Sequence, residues 1–211
     1  MADIIKNLEW RYAVKKFDSE RLLSHRNIEK LKQAFNLTAT SYGLQPIKMV
    51  VLQNKSLQQA LVPFSMKQQQ VAQASHVLVI CIETNVDSDY IIEYFKRIKE
   101  IRGTSDEILT PFKESMVSSF STKGTDEIQS WSKNQAYLAL GNLLTICAME
   151  KIDSCPMEGF QPEEYDRLLG LKDKGLTSVL VLPVGYRATD DIFSGFKKVR
   201  KNLDDSIIDI R

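Results

Sequence analysis

From residue 136 to residue 149 the chain reads Ala-Tyr-Leu-Ala-Leu-Gly-Asn-Leu-Leu-Thr-Ile-Cys-Ala-Met, the interior of a helix that begins near Asp126 and is apolar on nearly every side. A surface helix shows one apolar stripe; one that is apolar all round has to be covered, in a core or in an interface. Gly141 and the alanines leave room for a second backbone to come close, so part of that cover is expected from a partner subunit. The nearly uncharged run 134–149 is too short to span a bilayer. Directly after the helix comes Cys155-Pro156-Met157-Glu158-Gly159-Phe160. Pro removes a backbone donor and Gly lets the main chain approach a ligand, which makes a rigid turn with little bulk. It is either an ordinary turn or a seat for a flat cofactor. Gln161-Pro162-Glu163-Glu164 then opens a new helix, with Pro and acids in its first turn.

The strands follow from the apolar runs. Residues 77–82, Val-Leu-Val-Ile-Cys-Ile, are apolar without a break and predict a strand buried on both faces, with Cys81 as a small core residue. Residues 48–53 and 177–186 also read as strands, and Pro183 in the second points to an edge or a bulge. Asp3 caps a short helix over 3–10, and Ser24 caps one whose Ile28, Leu31 and Phe35 recur at helical spacing. Ser56 and Ser65 are candidate starts of two short helices. Residues 89–102 put Ile91, Tyr94, Phe95, Ile98 and Ile101 on one helical face, whereas 104–124 reads as irregular, a mobile cover or a plain surface insertion. No linker divides the chain, so 1–211 is expected to be a single domain, with an excursion over 85–130 and a C-terminal arm over 187–211. The arm carries strand-like Ile207, Ile208 and Ile210, yet nothing in it can fold alone.

Composition removes several classes of function. A net charge of +1 on 211 residues offers no field for nucleic acid. Cys81, Cys147 and Cys155 lack metal-ligand spacing, which argues against a zinc site or disulfide framework and for the cytoplasm; the N-terminal residues do not resemble a signal peptide. His25 and His76 are the only histidines, and each stands next to Ser at an expected helix or strand start, which argues against a histidine triad or a histidine-ligated metal. Neither a Gly-x-Gly-x-x-Gly fingerprint nor a Walker loop occurs. What remains is a basic cluster with aromatics at 11–17, a polar loop at 40–46, the Pro156 turn, and a second basic cluster at 197–201. The first cluster is either a solvated connector or an anion-binding loop, since Arg suits bidentate phosphate contact.

An ordered set of motifs bears on that choice: Arg11-x-x-x-Lys15-x-Phe17, the Ser/Thr loop closing on Gln45-Pro46, Ala74-Ser75-His76 entering a strand, Asn134-Gln135-x-Tyr137-Leu138-x-x-Gly141-Asn142-Leu143-Leu144, Pro156-x-Glu158-Gly159-Phe160, Leu171-x-x-Lys174-Gly175 and Pro183-Val184-Gly185. Together they resemble the nitroreductase family of FMN-dependent NAD(P)H oxidoreductases, near its oxygen-insensitive and dihydropteridine-reductase branch. The resemblance spans nearly the whole chain and is weakest over 85–130.

It implies an α+β fold, a central, mostly antiparallel sheet among helices, in an intertwined homodimer with FMN at the interface and C-terminal arms exchanged. Carried over by residue, Arg11, Lys198 and Arg200 would hold the FMN phosphate, with Tyr12 and Ala13 lining that end and Lys15 at the pyrimidine edge. Thr40, Ser41 and Gly43, on the loop that Gln45 closes, would come from the neighbouring subunit. Pro156, Met157, Glu158 and Gly159 would pack on the ring. Ala13 stands where the family usually has Ser and Gly43 where this branch commonly has Asn; Lys67 and Gln70 stand where related enzymes often have Asn and Lys, so that either Gln70 contacts the flavin or the pair exchange roles and Lys67 would supply the second cation there. The implied activity is hydride transfer from NADH or NADPH through the flavin to nitroaromatic, quinone, flavin or pteridine acceptors, without a side-chain acid or base. A flavin-binding dimer without turnover and a structural domain are the alternatives.

Overall fold

The computed structural model describes residues 3–211. Strands β1 (Ile47–Leu52), β2 (His76–Glu83), β3 (Asp153–Ser154) and β4 (Leu176–Gly185) form one antiparallel sheet in the order β1-β2-β4-β3. The unbroken apolar run of β2 has a direct cause: helices cover both faces of the sheet. Val77, Val79 and Cys81 face a core that contains Leu61, Val71 and Tyr165, while Leu78, Ile80 and Ile82 face one that contains Ile28, Leu31 and Leu143. With a period of two, each face needs its own apolar set.

Pro183 lies in neither setting expected of it. Strand β4 is flanked by β2 and β3, and the register irregularity falls where Ile80 pairs with Leu180 but Cys81 pairs with Ser178, leaving Val179 as the extra residue. The proline is tolerated because the N and C=O of one strand residue point to the same side. Its carbonyl accepts from the Cys155 amide at 3.1 Å, on the side of the two-residue strand β3, so the missing N–H removes nothing from the ladder to β2.

Helices α1 (Ile4–Trp10) and α2 (His25–Asn36) begin as expected, with Asp3 Oδ1 accepting from the Lys6 amide and Ser24 Oγ from that of Asn27. Helix α3 (Lys55–Leu61) is capped by Asn54 rather than begun by Ser56. Ser65 starts no helix: it is buried, donates to the Leu61 carbonyl at 2.7 Å and meets the Tyr165 hydroxyl at 2.7 Å. The next helix, α4, is only Gln70–Gln73.

The excursion is helical throughout. Helix α5 (Ser88–Arg102) ends on Gly103 in the left-handed region at φ 66°, and α6 (Asp106–Ser121) occupies the stretch expected to be irregular. Its Gly, Pro, Ser and Thr content hid a helical repeat, since Phe112, Met116 and Phe120 stand four residues apart and the last two are buried against Ile91 and Phe95. Helix α7 (Thr125–Met149), about 37 Å long by its rise per residue, lays Ala136, Ala139, Leu140, Leu143 and Cys147 on the sheet. Its other side stays open: Tyr137 and Leu138 are 46% and 55% exposed, and a Cβ at Gly141 would meet nothing within 4 Å. Helix α8 (Pro162–Leu168) is tied to β4 through Asp166, whose carboxylate accepts from Thr177 Oγ1 and the Ser178 amide. Beyond β4 the chain pairs with its own N-terminal segment, Asp18 N donating to Tyr186 O at 2.8 Å and Ala188 N to Lys16 O at 2.9 Å. It then makes a 3-10 turn, Ile192–Gly195, and continues exposed, with Ile208 and Ile210 at 88% and 94%.

Candidate functional site

Where α1 ends, the backbone turns extended at Arg11 and runs beside the segment that leaves β3, Val14 N donating to Ser154 O. This course brings Arg11, Tyr12 and Ala13 to Pro156, and the returning arm closes the other side with Phe193, Phe196, Lys198 and Arg200. The result is a groove of about 510 Å³. Two basic clusters almost 190 residues apart thus face each other across one groove.

The cations in the groove are short of partners. Arg11 Nε is buried and makes no hydrogen bond, the one charged group among three such side-chain atoms in the described residues; the others are Gln58 Oε1 and Ser132 Oγ. Burial first, and Arg200 second, hold the Arg11 guanidinium below its ordinary value. Lys198 donates to the Arg11 carbonyl, and its pKa is lowered by burial, then by Arg11 and Arg200, with Glu9 opposing weakly. Like charges gathered this closely, with one donor unsatisfied, are arranged for an anion with several oxygens. Lys15 is exposed at the same end. Burial pushes the Cys155 thiol up, and Lys15 and Arg11 pull against it, so both cations act at the Pro156 turn.

The turn is bolted to the sheet. Met157 N donates to Val181 O at 2.8 Å and the Met157 carbonyl accepts in return from Val181 N at 3.0 Å, while the Met157 side chain packs in the core. The next two amides, of Glu158 and Gly159, donate to nothing among the described residues. Glu158 instead accepts from the Tyr137 hydroxyl at 2.6 Å. A Cβ at Gly159 would come within 2.8 Å of Met66 Sδ, and Gln68 Nε2 donates to the Gly159 carbonyl at 3.2 Å. Met66 and Lys67 hold this loop with consecutive left-handed backbones, φ 52° and 58°, a strained arrangement that places Lys67 exposed beside the turn. Gln70 is buried, 7% exposed. Met66 and Gln68 were not among the expected site residues, and their residue types carry no signal of the role.

Another residue absent from those expectations is Asp191. It is 3% exposed, and its carboxylate accepts from Tyr12 Oη at 2.9 Å, Lys15 N at 2.9 Å, Lys16 N at 3.2 Å and Phe193 N at 3.1 Å. Burial pushes its pKa up, but these hydrogen bonds outweigh that and leave it lowered. Tyr12 is shifted the other way, raised by burial and then by its bond to Asp191.

The loop of Thr40, Ser41, Gly43 and Gln45 lies elsewhere in the chain. Ser41 N donates to Gln135 Oε1 at 2.8 Å, Gln45 N to Thr40 Oγ1 at 3.0 Å and Gln45 Nε2 to Asn36 O at 2.7 Å. Gly43, at φ 72°, sits where a Cβ would collide with the Tyr94 hydroxyl. Gln135 is roughly 20 Å along α7 from the end that meets α1. Within one chain these four residues do not line the Arg11 groove. Beside them is a second groove of about 510 Å³ between β1 and α5, where Lys48 pairs with Glu83 at 3.1 Å and Tyr90 donates to the carbonyls of Leu44 and Gln45. Its rim is mixed in charge and shows no comparable unpaired donor. Among the described residues no group of His, Cys, Asp and Glu is placed to hold a metal ion, and no helix is long and apolar enough to cross a membrane.

The model of the nitroreductase family matches residues 8–186. The chain belongs to that family. The Bacillus subtilis protein YfkO is 32% identical over 199 residues, covering 89% of this chain and 90% of its own. The oxygen-insensitive NAD(P)H nitroreductase of Salmonella typhimurium is 26% identical over 220 residues, covering 99% and 100%. Among solved structures, that of ydfN from Bacillus subtilis superimposes with a TM-score of 0.88 at 18% identity over all of both chains. One from Exiguobacterium sibiricum, in complex with FMN, gives 0.83 at 17% identity over 100% and 98%. The α+β nitroreductase fold expected from the motifs is therefore the fold observed. The matched family region ends at 186, before Lys198 and Arg200, so their place in the groove comes from the geometry of the arm alone.

Proposed function

We propose that this nitroreductase-family chain is an FMN-dependent oxidoreductase that uses NADH or NADPH, with Arg11, Lys198 and Arg200 holding the FMN phosphate. The observation that carries the reading is the buried, unpartnered Arg11 Nε in a groove that Lys197, Lys198 and Arg200 also line, with Glu9 as its one acid. A terminal phosphate supplies the oxygens these donors lack. The groove continues to the Pro156 turn, whose free Glu158 and Gly159 amides and missing Cβ suit the edge of a flat ring. Its relatives support the same reading: one is an oxygen-insensitive NAD(P)H nitroreductase, and a structural neighbour holds FMN.

When bound, FMN supplies the redox chemistry, receiving hydride from the nicotinamide and delivering it to a nitroaromatic, quinone, flavin or pteridine acceptor. The protein positions and polarises. Lys15 brings positive charge to the pyrimidine end, the Glu158 amide offers a preorganised donor, and Lys67 adds a second cation from the strained loop. No side chain is required as an acid or base. The open side of α7, with Tyr137, Leu138 and Gly141, supports a homodimer, and so does the uncovered arm with Ile208 and Ile210. In that assembly Thr40, Ser41, Gly43 and Gln45 of a second copy complete the site, and α5 and α6 cover it. Donor and acceptor then use one pocket in turn, in ping-pong fashion.

Anaerobic addition of NADH or NADPH to the FMN-loaded protein tests this directly. The yellow colour should bleach and return on adding a quinone or nitroaromatic. A protein that holds FMN but keeps its colour with both nucleotides would be a flavin-binding dimer without turnover; one that takes up no FMN would end the reading.

A further inference from the structure

Four donors converge on one buried carboxylate at the root of the C-terminal arm, and three of them belong to the loop that lines the groove from the opposite wall. Asp191 Oδ2 accepts from the Tyr12 hydroxyl and from the Lys15 and Lys16 amides, while Oδ1 accepts from Phe193 N and so starts the 3-10 turn that leads to Lys198. Lys16 also pairs with Asp190, and the strand-like contacts of 16–18 with 186–188 hold the same two segments one step further from the groove. Everything between these ties and the groove is short. Arg11 is one residue from Tyr12, and the arm needs only the turn Ile192–Gly195 to reach Lys198.

A carboxylate is a costly choice beside an anion site, because its charge repels the ligand while burial penalises its own ionised form. Its presence there is explained by what a neutral side chain cannot do: accept four hydrogen bonds at once from two chain segments. We propose that Asp191 is a positioning residue, a latch that sets the spacing between Arg11 on the N-terminal loop and Lys198 and Arg200 on the arm, and thereby fits the groove to a phosphate monoester. The inference rests on the reading of the groove given above, and it makes the cation cluster a property of the docked arm.

The test is titration of apoprotein with FMN and with riboflavin, which lacks the phosphate, for wild type, Asp191→Asn, Asp191→Glu, Arg200→Ala and the Asp191→Asn/Arg200→Ala pair. Asp191→Asn should weaken FMN about tenfold or more, as expected for losing hydrogen bonds to a charged group, and riboflavin far less. Asp191→Glu keeps the charge and displaces the carboxylate, so it should show the same FMN-selective loss. The double variant should bind FMN little worse than Arg200→Ala alone, because both changes act on one cluster. Tighter FMN binding by Asp191→Asn, the result of charge removal by itself, would overturn the latch. So would wild-type selectivity in either Asp191 variant, or equal weakening of both ligands. If Asp191→Asn does not fold, Asp191→Glu carries the same test. A wild-type chain that binds riboflavin as tightly as FMN would remove the phosphate site itself, whereas a wild-type preference for FMN left intact by both variants would remove only the role of Asp191.

Discussion

Arg11 and Arg187 stand on neighbouring segments, and both are largely withdrawn from water, yet the chain treats them in opposite ways. Arg187 is paired within the chain: its amide donates to Asp153 Oδ2 at 2.8 Å, its Nε and Nη2 to Oδ1 at 2.8 and 2.5 Å, and its guanidinium lies over the rings of Trp10 and Tyr12 at 4.4 and 4.5 Å. Arg11 has no carboxylate partner, an orphaned Nε, and Arg200 and Lys198 for company. A buried charge whose donors are matched within the chain is part of the scaffold, and one left unmatched is held for something that arrives later. The difference shows which of two arginines in one neighbourhood belongs to the fold and which to the site.

The largest effect that could break this comparison is on stability. Asp153→Ala should destabilise the chain by about 3 kcal/mol in chemical denaturation, the low end for breaking a buried pair, since it takes the carboxylate from a guanidinium whose side chain is 22% exposed. Arg11→Met removes no partner and relieves repulsion, so it should change the stability of the apoprotein by less than about 0.5 kcal/mol. Comparable losses in the two variants would erase the distinction.

A smaller effect concerns Asp191. The folded-state pKa of Asp191 is depressed, so the stability it contributes is fully present above its unfolded value, about 3.8, and is lost as pH falls through the folded value. Asp191→Asn should therefore flatten part of the decline in stability below about pH 4 and leave the curve above pH 5 parallel to wild type. An unchanged acid limb would mean that the carboxylate is not ionised by its four donors.

The same contrast explains what could be read in the sequence. The apolar run of β2, the caps Asp3 and Ser24 and the apolar helix declare themselves because local period and residue type decide them. The groove was reachable only through the ordered motifs: nothing local connects Arg11 to Arg200, and the connection exists because residues 186–188 return to pair with 16–18. Asp191 escaped notice for that reason, its partners Tyr12, Lys15 and Lys16 lying 175 to 179 residues earlier in the chain. Helix α6 is a different kind of miss, in which the turn-forming residues around Pro111 masked the four-residue spacing of Phe112, Met116 and Phe120. For the loop from Thr40 to Gln45, one chain does not contain the surroundings that its proposed role requires.

The central claim is that the unmatched charge of Arg11 is matched by the phosphate of FMN. It is tested most directly by measuring the dissociation constants of FMN and riboflavin for wild-type and Arg11→Ala apoprotein at one salt concentration. The account predicts a loss of roughly 1.5 to 3 kcal/mol for FMN, about 10- to 150-fold, and almost none for riboflavin. An FMN affinity that survives the substitution, or a loss shared equally by both ligands, would contradict it.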